Sequence, residues 1–247
     1  MTDTYNYSAY PSVLKEVFKN NGLYAFCTDE ICARLSDFCK YLLEQNELFN
    51  LTAIKTPESA ALLHFADSLT LSDYLPEGAS ILDIGSGAGF PAIPIAIARP
   101  DVPVTALDST QKRVDFINRS AQMLGLTNIK AVCHRAEDVT GKDFKEKFDV
   151  VTARAVASYP ILLELALPAV KVGGSFVAMK SKDVSRETSG IDKVSKMLSI
   201  GKPDFHYSKL ESNNEVFERC IVSLKKNAST PPKYPRAYSQ IKKKPLF

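Results

Sequence analysis

The sequence predicts an α/β fold, a mostly parallel sheet preceded by a helical segment, and three observations carry that prediction. The apolar run Ile81-Leu82-Asp83-Ile84, followed by Gly85, Gly87 and Gly89, reads as a buried strand turning tightly into a helix. From there to Leu224, short strand-like runs alternate with helix-period runs, the pattern of a parallel sheet covered on both faces. Ahead of Ile81 the apolar residues recur only at helical spacing. At 247 residues and 45% hydrophobic, the chain can bury one substantial core with a small appendage. The expected division is a helical segment over residues 1–75, an α/β domain over 76–226 and a basic, mobile tail over 227–247.

Val13, Leu14, Val17 and Phe18 recur at helical spacing in a first helix that stops at Asn21-Gly22, a C-terminal cap. Thr28 is placed to cap the second, with Asp29 and Glu30 in its first turn and Ile31, Leu35, Phe38 and Leu42 as its inward stripe. Pro57 opens a third helix that runs through Leu62, Leu63, Phe65, Ala66 and Leu69 to Pro76. Strands follow at 81–84, 103–107, 129–133, 148–152 and 175–179, with helices after Pro91, Thr110 and Ser158. Gly173-Gly174 is expected to make the turn into the fifth strand. A helix over 185–199 leads to a closing antiparallel pair at 205–210 and 216–224, which brings the sheet to seven strands. Beyond Leu224 the Ser, Thr, Pro and Lys composition predicts a mobile end that can be deleted without loss of folding.

Composition excludes several classes. No apolar run approaches the ~20 residues of a membrane helix, and the first residues lack the basic start and apolar centre of a signal peptide, so a cytoplasmic protein is expected. Cys27, Cys32, Cys39, Cys133 and Cys220 are odd in number and form no Cys-x-x-Cys pair, which predicts reduced core residues rather than disulfides or a zinc site. The net charge of +3 hides an asymmetry. Residues 225–247 carry seven basic residues and no acid, against 24 basic and 28 acidic in the remainder. A confined basic tail suggests a polyanionic partner, and a merely solvated end explains it equally well.

Chemistry concentrates at the glycine turn. Gly85, Gly87 and Gly89 can bring bare backbone N–H groups up to a ligand, but a dinucleotide fingerprint would need its third glycine where Phe90 stands. Asp83 suits a ligand bearing a sulfonium and an amino group better than a pyrophosphate. S-adenosylmethionine is such a ligand, although glycine-rich turns of this kind also occur without one. Asp108 ends the next strand about 20 residues past the first glycine, where an acid accepts from ribose hydroxyls. Alternatively, Asp108, Ser109 or Thr110 caps the helix that follows.

These residues, with others, resemble a known family, the RsmG (GidB) 16S rRNA guanine-N7 methyltransferases of the seven-stranded, Rossmann-like class I S-adenosylmethionine-dependent fold. The resemblance is carried by Phe49-Asn50-Leu51-Thr52-Ala53-Ile54, His64-Phe65-Ala66-Asp67-Ser68-Leu69, Leu82 through Pro91, Leu107-Asp108-Ser109 with Lys112-Arg113-Val114, and Ala153-Arg154-Ala155. Pro235-Arg236 and Lys243-Lys244-Pro245-Leu246 are also similar to some members, while Tyr238-Ser239-Gln240 departs from them. The resemblance implies methyl transfer to N7 of a guanine in 16S rRNA, guanine 527 of the 530 loop in the family. It implies cofactor contacts at Gly85, Phe90, Asp108, Ala136, Glu137 and Arg154, to which the turn adds Asp83, Gly87 and Gly89. The partner expected is 16S rRNA or the small ribosomal subunit, met by a monomer with no membrane and no metal.

Arg154 is the catalytic candidate. Guanine N7 has an exposed lone pair and no hydrogen to lose, so transfer needs alignment more than a general base. An arginine can supply that alignment by donating to O6 on the same base edge, or it can pair structurally with Asp83 or Glu137. Lys112, Arg113, Arg135, Lys180 and Arg236 are the candidate RNA contacts. His64 reads as a core histidine, and Asn50 and Thr52 as caps at the junction. A wide cleft rimmed by cations would favour RNA, and an enclosed apolar pocket a small-molecule substrate. A non-catalytic RNA-binding module of the same fold is the third reading, against which Asp83, Gly85, Gly87 and Asp108 count.

Overall fold

The computed structural model describes residues 5–139, 141–212 and 215–247 of the chain. Helix α1 (Tyr10–Asn20) buries Leu14 and Phe18. Thr28 caps α2 (Asp29–Phe49) by accepting from the Ile31 amide at 3.2 Å, and α2 ends on Asn50 in the left-handed region. Leu35, Phe38 and Leu42 are buried, as the stripe requires, while Ile31 is only half-buried. The third helix is one helical run of changing pitch: α3 (Pro57–Ala60), a π-helical stretch Ala61–Ala66, α4 (Asp67–Leu69) and a 3-10 stretch Thr70–Tyr74. A π-helical turn shifts the register of the face that follows it and is often found at functional sites; here it carries His64.

The sheet contains β1 (Ile81–Ile84), β2 (Val104–Asp108), β3 (Ile129–Cys133), β4 (Phe148–Arg154), β5 (Val170–Ser181), β6 (Asp204–Ser212) and β7 (Glu215–Lys225). Helices α5 (Ala92–Ala98), α6 (Gln111–Met123), α7 (Tyr159–Ala166), α8 (Val184–Thr188) and α9 (Asp192–Leu198) connect them. Strand order is β3-β2-β1-β4-β5-β7-β6, with β7 antiparallel to both neighbours and the other pairs parallel. Alternation along the strands makes two cores. Ile81, Val104, Val150 and Val177 pack with the N-terminal helices, whereas Leu82, Val151 and Phe176 pack with α7. The helical segment therefore shares one face of the sheet with α5 and α6. Because β1 turns toward β2 on one side and β4 on the other, a crevice opens at their carboxyl ends, the place where such sheets bind ligands.

Three expectations are corrected here. Gly173-Gly174 lies inside β5, which starts at Val170; a Cβ on Gly174 would sit 2.6 Å from the Asp149 carbonyl, so the glycine lets β5 run close against β4 where their register shifts. The helix expected over 185–199 is two short helices interrupted beside Gly190, against which the Phe247 ring packs. Cys32, Cys39 and Cys220 are buried, but Cys27 is half-buried and Cys133 is exposed at the end of β3; all five are free thiols.

The tail is seated on the domain rather than mobile. The Lys226 ammonium is fully buried and donates to Glu146 Oε1 at 3.0 Å and to the Leu167 and Val170 carbonyls. Arg236 forks onto the buried Glu164 carboxylate, with Nε and Nη2 at 2.8 and 2.5 Å and its backbone amide at 2.9 Å. Ile241 of α10 (Tyr238–Lys243) and Tyr234 are buried. Proline and lysine content pointed to disorder because these anchors are tertiary contacts that composition does not report. Deleting residues 227–247 should therefore destabilise the protein, with Arg236→Ala alone costing about 3 kcal/mol because Glu164 is left as an unpaired buried charge. Thermal denaturation of both variants checks this; an unchanged midpoint in either would show that the latch contributes nothing.

Among the described residues no helix is long and apolar enough to cross a membrane, and no group of three or more His, Cys, Asp or Glu is placed to hold a metal ion.

Candidate active site

The cleft at the carboxyl ends of β1, β4 and β5 has a volume of about 700 Å³. One wall comes from the chain after α2 (Leu51 to Ile54) and from Leu63, His64 and Asp67, the other from Gly85 to Ala88 with Phe90, Arg154, Met179, Lys180 and Arg219. The glycines serve different ends. Gly87 sits at φ +58° on the cleft, and a Cβ there would meet nothing nearer than the Gly85 carbonyl at 4.0 Å. Gly85, at φ +70°, leaves room for Val156, whose Cγ2 would lie 2.5 Å from a Cβ. Gly89, at φ +90°, also leaves room for Ile93, whose Cδ1 would lie 2.6 Å from a Cβ as α5 packs on the sheet.

Asp83 lies beneath this turn, fully buried, and among the described residues neither carboxylate oxygen has a hydrogen-bond partner. Burial raises its pKa to about 7, against the lowering pull of the nearby Ser86 hydroxyl and Arg154 charge. The hydroxyl of its neighbour in register, Thr152, has no partner among the described residues either. Buried polar groups are almost always paired, so an orphaned carboxylate under a glycine turn is a place prepared for a donor or a cation. Asp108, buried at the end of β2, accepts from the Gly87 amide at 3.0 Å and the Thr110 amide at 2.9 Å, which fixes the turn relative to α6. Ala136 and Glu137 form a short 3-10 turn after β3, on the Asp108 side of the sheet and outside the cleft proper.

Arg154 ends β4 on the same face as Asp83, and the residue after it, Ala155, is held at φ +55°. Its acidic partner is Asp67, rather than Asp83 or Glu137. Nη1 reaches Asp67 Oδ2 at 2.8 Å and the Leu63 carbonyl at 3.0 Å, while Nη2 lies 3.3 Å from His64 Nδ1. The other oxygen of Asp67 accepts from Arg219 Nε at 2.9 Å, so one buried carboxylate holds two arginines from β4 and β7. His64 is more than a core histidine. It lines the cleft, stacks on Phe90 with centroids 4.0 Å apart and meets Thr52 Oγ1 at 2.8 Å. Burial and then the Arg154 charge push its pKa down to about 3, so the ring is neutral, with Nδ1 accepting from Arg154 and Nε2 donating to Thr52.

The expected RNA contacts are scattered. Arg113 lines the cleft, 3.5 Å from Asp108, and Lys112 lies in a separate groove nearby. Lys180 lines the cleft but is largely buried and occupied by Glu187 at 2.7 Å and the Ala157 carbonyl. Arg135 is exposed, 3.8 Å from Glu137 and away from the cleft. Arg236 is committed to Glu164, so its expected RNA contact is replaced by the latch. Sequence reasoning missed Asp67 and Arg219; the available signals were an acid three residues after His64 on one helical face and a charge inside an otherwise apolar strand.

A seven-stranded sheet of this order, with a buried acid beneath a glycine turn at the carboxyl end of its central strand, is the frame of a class I S-adenosylmethionine-dependent methyltransferase. The model of the family described as rRNA small subunit methyltransferase G matches residues 31–216, and the chain belongs to that family. A relative from Desulforamulus reducens named ribosomal RNA small subunit methyltransferase G is 44% identical over 208 residues, 83% of this chain and 86% of its own. One of the same name from Desulfitobacterium hafniense is 42% identical over 214 residues, 86% of this chain and 88% of its own. Among solved structures, the branched-chain polyamine synthase of Thermus thermophilus aligns with a TM-score of 0.56 at 15% identity, over 78% of this chain and 64% of its own. TYW2 of M. jannaschii, solved with AdoMet, aligns with a TM-score of 0.52 at 14% identity, over 65% and 74%. At such identities these two speak for the fold alone.

Proposed function

We propose that this enzyme transfers a methyl group from S-adenosylmethionine to N7 of a guanine in 16S rRNA, as a monomer in the cytoplasm. The observation that carries the reading is the cleft's excess of cations and the engagement of the acids and histidine that line it: Arg113, Arg154, Lys180 and Arg219 face Asp67 and Glu187, both acids are held in ion pairs, and both ring nitrogens of His64 are occupied. A nucleophile that already has a lone pair and loses no proton suits such a site. Asp83, Gly85, Gly87 and Phe90 are the residues proposed to hold the cofactor, with Asp108 toward its ribose and Ala136 and Glu137 toward its adenine. The cofactor supplies a methyl group on a sulfonium. Arg154, held by Asp67, Leu63 and His64, keeps Nε and part of Nη2 free to donate to O6 and hold the base edge without covering N7.

The test is transfer of labelled methyl by purified protein to small subunits from a strain lacking the modification, followed by nucleoside analysis. N7-methylguanine is the expected product; methyl on another atom, or on small molecules only, would overturn the reading.

Asp83 adds a pH dependence. A cationic ligand favours its ionised form, so below about pH 7 binding must expel a proton. S-adenosylmethionine affinity should rise with pH up to about 7 and level off above, and Asp83→Asn should flatten the curve as well as weaken binding. Without ligand the sign is opposite: the raised folded-state pKa makes stability fall as pH climbs from about 4 toward 7. Calorimetry across this range checks the first claim; a flat wild-type curve would contradict it.

A further inference from the structure

One motif is not absorbed by the cleft. Phe49, the last residue of α2, is 45% exposed and its neighbour Leu48 68%, although Leu51 to Ile54 just beyond line the active site. Phe49 borders a groove of about 100 Å³ between α2 and α6, whose inner part contains Tyr41 stacked on Phe116 with rings 5.5 Å apart and nearly parallel. Lys112 and Arg119 stand along α6 at the groove, both exposed and neither in a salt bridge among the described residues. The groove's one acid, Asp115, already accepts from Gln111 at 2.7 Å. Groove and cleft are neighbours along the chain at two points: Phe49 lies two residues before the Leu51–Ile54 wall, and Lys112 precedes Arg113.

An exposed aromatic between unpaired cations is the arrangement that binds single-stranded nucleic acid, with the base on the ring and its phosphates on the cations. Ordinary core packing accounts for Tyr41 and Phe116 but leaves Phe49, Lys112 and Arg119 without a role. We infer that the α2–α6 groove seats one unpaired nucleotide adjacent to the target guanine, stacked on Phe49 with its phosphates near Lys112 and Arg119. The inference rests on the RNA substrate proposed above. It also assigns the strand a direction of approach, across the end of α2 and into the cleft. Because stacking tolerates any base, the groove contributes affinity and alignment rather than sequence choice.

Methyl transfer to unmodified small subunits tests it. Phe49→Ala should raise KM for the subunit by about tenfold or more, while S-adenosylmethionine affinity and melting temperature stay at wild-type values. Phe49→Trp should restore KM, and Lys112→Ala with Arg119→Ala should weaken the salt dependence of RNA binding. A wild-type KM in Phe49→Ala, or no rescue by tryptophan, would overturn the assignment. If the wild-type protein transfers no methyl to RNA, the functional reading fails separately. Anisotropy of a labelled single-stranded oligonucleotide with the same variants then decides the groove, equal affinity for wild type and Phe49→Ala refuting it.

Discussion

Arg154→Ala should lower methyl transfer by about a hundredfold or more, the scale on which a misplaced reactant loses rate. The free protein should also lose about 3 kcal/mol, because Asp67 is left buried with one of its two arginine partners gone and the Leu63 carbonyl loses a donor. Loss of activity alone would thus not separate alignment from architecture. Arg154→Lys separates them: an ammonium can still pair with Asp67 and recover much of the stability, but it lacks the planar fork that reaches a base edge while holding the acid. Recovered melting temperature without recovered transfer is the expected result. Full recovery of both by lysine would mean that Arg154 only braces the wall.

Gly87→Val should abolish measurable S-adenosylmethionine binding, more than a hundredfold in affinity. Two causes add. At φ +58° an L-residue is strained by roughly 1–2 kcal/mol, and more when β-branched. The new side chain would also stand in the open space of the cleft, where nothing now lies within 4 Å but a carbonyl at that limit. Gly87→Ala shares most of the strain with little of the bulk, so its stability should fall similarly and its affinity much less. Calorimetry with thermal denaturation distinguishes them. Wild-type affinity in a folded valine variant would remove the glycine turn from the cofactor site.

What could be read from the sequence follows the range of the interactions involved. The turn from Asp83 to Phe90 and the cap at Thr28 were legible because glycine at positive φ and a side chain bonding three residues ahead are local events. The closing pair of strands was legible from alternation. Asp67 with Arg154 and Arg219 was not, since its partners lie 87 and 152 residues away and no local pattern marks them. Gly173-Gly174 looked like a turn because glycine marks both reversals and close strand contacts, and only the Asp149 carbonyl beside Gly174 tells which. The tail misled for the same reason: the anchors Glu146 and Glu164 belong to other elements.

The shared carboxylate of Asp67 bears on how far this enzyme can be taken apart. Its helix belongs to the N-terminal segment, whereas the two arginines it pairs with belong to central and late strands of the sheet. A chimera that transplants residues 76–226 onto a foreign N-terminus would carry both guanidinium groups into the cleft without their counter-ion, a few ångströms apart and mutually repelling. Grafting the site onto another scaffold, or splitting the chain into complementing halves, therefore has to move Asp67 together with both strands. Recombination between related chains should succeed at crossovers that keep all three from one parent.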